Sequence, residues 1–191
     1  MAYKPYNTMC VYKDRLQRPA LVDMGVPPDL HPAGRLDLDS EGLVLLTNDG
    51  ELQHRITHPD YNHPKTYLVL VLGYPDSQAL KALREGIQLR DYLTRPADVE
   101  VLNGTPALPV FPLPLPSPEK TTWLRIVLYE GKNRQIKRMT GAVGHATVRL
   151  IRVAIGPLRL PLDLGPGEWR DLTLTERKIL LDFVKFGSAL N

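Results

Sequence analysis

Apolar residues fall along this chain in short runs closed by turn formers, a spacing that predicts strands more often than helices. Leu43-Val44-Leu45-Leu46-Thr47 lies between Gly42 and the turn Asn48-Asp49-Gly50, and predicts a buried strand. The turn doubles as the N-cap of a short helix from Glu51 to about Thr57, with Leu52 and Ile56 one turn apart on its inner side. Lys65–Gly73 is the clearest strand in the chain, rich in β-formers and closed by glycine. Ser77 to about Gly86 predicts a helix capped by Ser77, with Leu80 and Leu83 on its apolar side. Residues 90–102 return to strand-like patterning. Trp123–Tyr129 and Thr147–Ile155 predict two further strands with a short helix, 133–143, between them. Thr173-Leu174-Thr175-Glu176 is a capping-box pattern opening an amphipathic helix to about Phe186.

The regions between these elements are proline-rich. Residues 1–36 carry prolines at 5, 19, 27, 28 and 32 and predict short strands and loops. Six prolines fall in the thirteen residues from Pro106 to Pro118. That density blocks helix and central-strand pairing and favours an extended excursion joining two strands. Strands outnumber helices, with no repeat and no regular βαβ alternation. The fold class is therefore α+β, built on a largely antiparallel sheet.

Bulk properties narrow the setting. The 191 residues suit one domain, or one domain in two lobes. A single cysteine, Cys10, cannot form an internal disulfide and fits a reducing compartment as a small buried side chain. No apolar run approaches the roughly 18 residues that span a bilayer, and the N-terminus lacks a secretory apolar core. A cytoplasmic protein without membrane attachment is expected. The net charge of +3 is mild evidence for a polyanionic partner. Its distribution says more, because basic residues crowd into 132–152.

Three places in the chain hold candidate chemistry. The first is His31-Pro32-Ala33-Gly34-Arg35-Leu36-Asp37-Leu38-Asp39-Ser40-Glu41-Gly42, a glycine-punctuated turn before the apolar strand. Asp37 would sit on a loop held at a sheet edge, where catalytic side chains are often placed. The spacing of Asp37, Asp39 and Glu41 also starts a calcium-loop pattern, but Asn48 stands where a bidentate glutamate belongs. A plain structural turn accounts for Asp39 and Ser40. The second place is Tyr67 in the strand after Lys65-Thr66; a strand tyrosine is by itself ordinary core. The third is Tyr129-Glu130-Gly131-Lys132-Asn133-Arg134-Gln135-Ile136-Lys137-Arg138-Met139. On a helix, Ile136, Met139 and Val143 share one face and Arg134 and Arg138 lie almost opposite, with Lys137 at the boundary. The five histidines have no zinc-like spacing, and no metal site is assigned.

Together these motifs resemble the RsuA family of pseudouridine synthases. The likeness rests on Gly-Arg-Leu-Asp-x-x-Ser-Glu-Gly-Leu-x-Leu-Leu-Thr-Asn-Asp-Gly, on Lys65-x-Tyr67, and on Glu-Gly-x-x-x-Gln-Ile-Lys-Arg-Met. It runs in order from about Lys4 to Asp171, and is nearest the short members of the RluE type that modify large-subunit ribosomal RNA. The resemblance implies a pseudouridine synthase fold: a mostly antiparallel mixed sheet in two lobes, about 1–64 and 65–191, with a central active-site cleft and flanking short helices. It implies a single catalytic domain with no separate N-terminal RNA-binding module. Asp37 is then the nucleophile and Arg35 its companion in the motif. Tyr67 stacks on the target base, and Lys137 is the buried basic partner of Asp37. Lys132, Asn133, Arg134, Gln135, Arg138, Arg149 and Arg152 are the implied RNA contacts, and Lys4-Pro5-Tyr6 lies near the active-site loop. The implied partner is ribosomal RNA, the enzyme a monomer, and no cofactor is required.

Three other readings compete. A noncatalytic RNA-binding or ribosome-assembly protein would keep the basic face without needing Asp37. A glycosidase-like hydrolase would pair Asp37 with Asp39 or Glu41, about 5–10 Å apart across one bond. A protein-interaction module would be read through the proline segment.

Overall fold

The computed structural model describes residues 1–186. In chain order the elements are β1 (Ala2–Lys4), β2 (His31–Ala33), β3 (Glu41–Thr47), α1 (Gly50–Thr57), β4 (Lys65–Leu72) and α2 (Ser77–Glu85). They continue with β5 (Asp98–Val101), β6 (Thr121–Leu128), α3 (Gln135–Ala142), β7 (Thr147–Ile155), β8 (Leu158–Arg159) and α4 (Leu174–Phe186). The chain forms two compact units, one of Met1–His63 with the chain from Arg152 onward, the other of Pro64–Ile151. The first unit is thus discontinuous. The C-terminal lobe expected to run from 65 to 191 ends instead inside β7, and α4 belongs with the N-terminal residues.

In the first unit β3 takes β1 and β2 as antiparallel partners, Leu43 opposite Tyr3 and Leu45 opposite Ala33. β8 folds back antiparallel on the end of β7, Ala154 opposite Arg159. Leu43 and Leu45 point the same way, as alternate strand residues must. They share a buried cluster with Met1, Tyr3, Ile56, Ile155, Leu180 and Val184. Burying each such leucine or isoleucine contributes about 1.5–3 kcal/mol, so the loop from β2 into β3 hangs from strands anchored in this core. Asp49 caps α1, its Oδ1 accepting from Leu52 N at 3.0 Å. At the other end of the unit the capping box forms: Thr173 Oγ1 accepts from Glu176 N at 3.2 Å, and Glu176 Oε2 accepts from Thr173 N at 2.8 Å.

In the second unit β6 lies antiparallel between β4 and β5, so that Ile126 faces Tyr67 on one side and Val99 on the other. Three sequence expectations shift here. The cap of α2 is Asp76, whose Oδ1 accepts from Ala79 N at 2.7 Å, and Ser77 is the first helical residue. A carboxylate is a stronger acceptor than a hydroxyl at a helix N-terminus. Within residues 90–102 only Asp98–Val101 is a strand. Helix α3 starts at Gln135, with Arg134 just before it in the left-handed conformation (φ 50°), and ends at Ala142, so Arg134 and Val143 fall outside its regular turns. The proline segment joins β5 to β6 without regular structure, apart from one 3-10 turn at Pro118–Lys120.

Candidate active site

Asp37 sits on the seven-residue link, 34–40, between β2 and β3, and its backbone is held from several directions. Leu36, just before it, is buried. Ser40 N donates to the Asp37 carbonyl at 3.2 Å, closing a turn. The next carbonyl, Leu38 O, accepts from Asn7 N at 2.9 Å and from Lys4 Nζ at 3.4 Å. Lys4 is wholly buried, and its ammonium also donates to Thr8 O at 2.6 Å and Pro5 O at 2.9 Å. Burial lowers its pKa to about 8, against the opposing pull of Cys10 and the acidic groups of Glu41, Asp39 and Asp37. The Lys-Pro-Tyr motif is therefore built into the support of this loop. The Asp37 side chain itself is half-buried and the Arg35 side chain exposed.

The second unit carries Tyr67 and the basic helix. Tyr67 is 8% exposed in the middle of the β4–β6 pairing. Lys137 is half-buried on α3. Gln135, expected among the RNA contacts, is buried: its Nε2 donates to Glu130 Oε1 at 2.6 Å and its Oε1 accepts from Lys132 N at 3.1 Å. The same Glu130 oxygen accepts from Arg95 N at 2.9 Å. The Glu-Gly-x-x-x-Gln part of the motif thus shapes the turn into α3, because a buried carboxylate and amide must satisfy one another. Lys132, Asn133 and Arg134 are exposed on that turn.

Two further arginines differ from expectation. Arg149 is 5% exposed, donates from Nη2 to Pro109 O at 3.0 Å and lies over the Phe111 ring at 4.9 Å. It holds the proline segment, whose carbonyl and ring it engages through both the polar fork and the flat face of the guanidinium. Arg152 is 2% exposed and donates to three carbonyls of the first unit. Both were expected to meet phosphate at the surface. Two arginines three residues apart in an otherwise apolar strand give no sign, from sequence, of which the fold will bury.

Arg138 reaches the surface but is ion-paired with Asp91, and Asp91 is held below the usual carboxylate range by that hydrogen-bonded guanidinium. Two cations lie over the Tyr92 ring, the Arg138 guanidinium at 5.2 Å and Lys132 Nζ at 5.8 Å from its centre. Asp91 and Tyr92 were not picked out from the sequence. They lie about forty residues before the basic motif and carry no spacing that marks them.

The fold is α+β, with an acidic loop on the first unit and a strand tyrosine and a basic helix on the second. Comparison names the family. The structure matches a crystal structure of a pseudouridylate synthase with a TM-score of 0.78 and 35% identity, over 94% of this chain and 71% of that one. The sequence profile of the RNA pseudouridylate synthases matches residues 1–142. The chain belongs to the RNA pseudouridylate synthase family. Among its relatives is ribosomal large subunit pseudouridine synthase E of Xanthomonas axonopodis pv. citri, 49% identical over 163 residues, which are 82% of this chain and 85% of that protein. The synthase of the same name in Vibrio parahaemolyticus is 45% identical over 177 residues, 90% of this chain and 72% of its own length. Ribosomal small subunit pseudouridine synthase A of Escherichia coli is 39% identical over 180 residues, 92% of this chain and 71% of its own length. Among the described residues no helix is long and apolar enough to cross a membrane.

Proposed function

We propose that this enzyme isomerises a uridine of large-subunit ribosomal RNA to pseudouridine, with Asp37 as nucleophile, acting as a monomer in the cytoplasm. The observation that carries the reading is Asp37 within the family's motif, on a loop whose backbone is fixed on both sides of it. The large-subunit substrate is favoured by the large-subunit synthases of Xanthomonas axonopodis pv. citri and Vibrio parahaemolyticus, which this chain matches over most of their length.

The chemistry follows from the residues. The uridine is turned out of the RNA stack, at a cost of a few kcal/mol that is least in loops. The Tyr67 ring offers the extruded base a stacking surface, worth about 1–3 kcal/mol. Ionised Asp37 attacks the nucleotide at ribose C1′ or base C6, or removes a ribose proton, splitting one difficult rearrangement into easier steps. The family motif gives Lys137 the part of basic partner to the nucleophile. The freed uracil turns and rejoins C1′ through C5, and the proton on C5 leaves to Tyr67 or water. The new C5–C1′ bond releases Asp37, and N1, freed from C1′, takes up a proton in place of the one lost from C5. Lys132, Asn133, Arg134 and Arg138 supply contacts to the RNA backbone, and Arg35 flanks the nucleophile.

The test is tritium release from ribosomal RNA labelled at uracil C5. Wild-type protein releases tritium, whereas Asp37→Asn releases none and binds RNA within a few-fold of wild type. Release by both proteins rules out Asp37. Tight binding with no release by either supports the noncatalytic RNA-binding reading.

A further inference from the structure

We propose that Arg152 is a positioning residue for Asp37: its guanidinium ties the loop that presents the carboxylate to strand β3. The proposal rests on the reading of Asp37 as nucleophile. Arg152 Nε donates to Leu43 O on β3 at 2.8 Å, while Nη1 and Nη2 lie 3.4 Å from Arg35 O and Gly34 O. Arg35 is two residues before Asp37 in the chain. One planar, charged fork thus bridges a packed strand and the loop leaving β2, with its short bond on the strand and its two longer ones on the loop. Charge-assisted hydrogen bonds to carbonyls hold better than neutral ones, and a lysine ammonium cannot span three carbonyls in this way.

The backbone around Arg152 is arranged to allow it. Gly42 has φ 106°, and a Cβ there would lie 2.3 Å from Arg152 O and 2.8 Å from Arg152 N. Only glycine admits both that conformation and that approach. The close approach is of the Arg152 backbone to Gly42, next to the Leu43 carbonyl that Nε reaches. Gly34, with φ 89°, turns the chain just where the fork receives it. The Gly34-Arg35 and Glu41-Gly42 pairs of the motif therefore shape the seat of the arginine as well as the loop.

At 2% exposure the side chain is not available to a phosphate. A positioning role and a phosphate contact predict different kinetics. Displacing a reacting group by about 1 Å can cost on the order of 10²-fold in rate. Losing one phosphate contact instead weakens binding and lowers the slope of log K against log salt by about 0.7–0.9.

The experiment compares Arg152→Met and Arg152→Lys with wild type and Asp37→Asn, using full-length chains and C5-tritiated ribosomal RNA. It measures kcat, RNA affinity across a salt series, and amide hydrogen exchange along the chain. The proposal expects Arg152→Met to lose about 10²-fold in kcat, the scale of that displacement, with RNA affinity and salt slope unchanged. It expects faster exchange confined to the loop leaving β2, and a smaller kcat loss in Arg152→Lys. Unchanged kcat in Arg152→Met overturns it. So does a weakened affinity with a shallower salt slope, which returns Arg152 to phosphate binding. Faster exchange throughout the first unit also overturns it, as a general loss of packing. Should Arg152→Met fail to fold, full kcat in Arg152→Lys overturns the proposal on its own. Activity in Asp37→Asn defeats the underlying reading separately, whatever the Arg152 variants do.

Discussion

Lys4 shows how a buried side chain holds the loop that carries Asp37. Three carbonyls converge on its buried ammonium, and leaving such acceptors without a donor costs about 1–3 kcal/mol each. Lys4→Met is therefore expected to lower stability. The pH dependence has a definite sign. The native pKa is about 8 and the ordinary value 10.5, so between those values the unfolded chain binds the extra proton. Burial of the charge is a penalty below pH 8 that disappears as pH rises. The stability gap between wild type and Lys4→Met should widen from pH 7 to pH 10, as read from urea midpoints; a gap that narrows would place the proton elsewhere. At this scale the candidate residues Asp37, Tyr67 and Lys137 are legible because they stand in recognisable local strings. It did not separate arginines that reach the surface from those that do not. Arg138 and Arg152 look alike in a sequence, and burial of each is decided by strands and loops far away in the chain.

Elements were legible where their ends carry their own chemistry. The Thr173–Glu176 box closed as its spacing predicts, and β7 spans Thr147–Ile155 as the apolar pattern predicts. The box has an added partner in Arg170, whose guanidinium donates to both Glu176 oxygens at 2.8 Å. That pairing, with the Thr173 bonds, lowers the Glu176 pKa to about 2. A depressed carboxylate contributes stability above its ordinary value and loses it as pH falls toward the native one. Wild type should therefore melt above Glu176→Gln at pH 7, and the difference in Tm should shrink steadily between about pH 5 and pH 2. A difference that persists at pH 2 would mean the carboxylate's charge is not its source. The element boundaries that moved, at α2 and α3, did so where a neighbouring residue offered a better cap or where a left-handed residue ended the regular turns.

For the whole molecule, charge placement matters more than the net charge of +3. Asp91 occupies the guanidinium of Arg138, a residue proposed to meet RNA, so part of the basic surface is neutralised in the free enzyme. Asp91→Asn should bind ribosomal RNA more tightly, with a salt slope steeper by up to about 0.7–0.9, the value of one phosphate contact. Arg134→Ala should do the reverse, weakening binding and flattening the slope. Filter binding from low to high salt measures both; parallel slopes for wild type and Asp91→Asn would show that Arg138 makes no phosphate contact. The discontinuous first unit is the other feature of this scale. Its core joins Met1 and Tyr3 to Leu180 and Val184, a pairing of chain ends that no local pattern announces.

The sequence by itself determined the α+β class, the positions of its main strands and helices, and the motif strings that hold Asp37, Tyr67 and Lys137. Each of these depends on periodicity, capping or turn chemistry within a few residues. Only the tertiary structure decided that Arg149 and Arg152 are buried, that Lys4 and Arg152 grip the backbone on either side of Asp37, and that Asp91 holds Arg138. Those facts depend on which distant carbonyls and carboxylates the fold brings within hydrogen-bond reach, at about 3 Å, and a linear pattern carries no record of that distance.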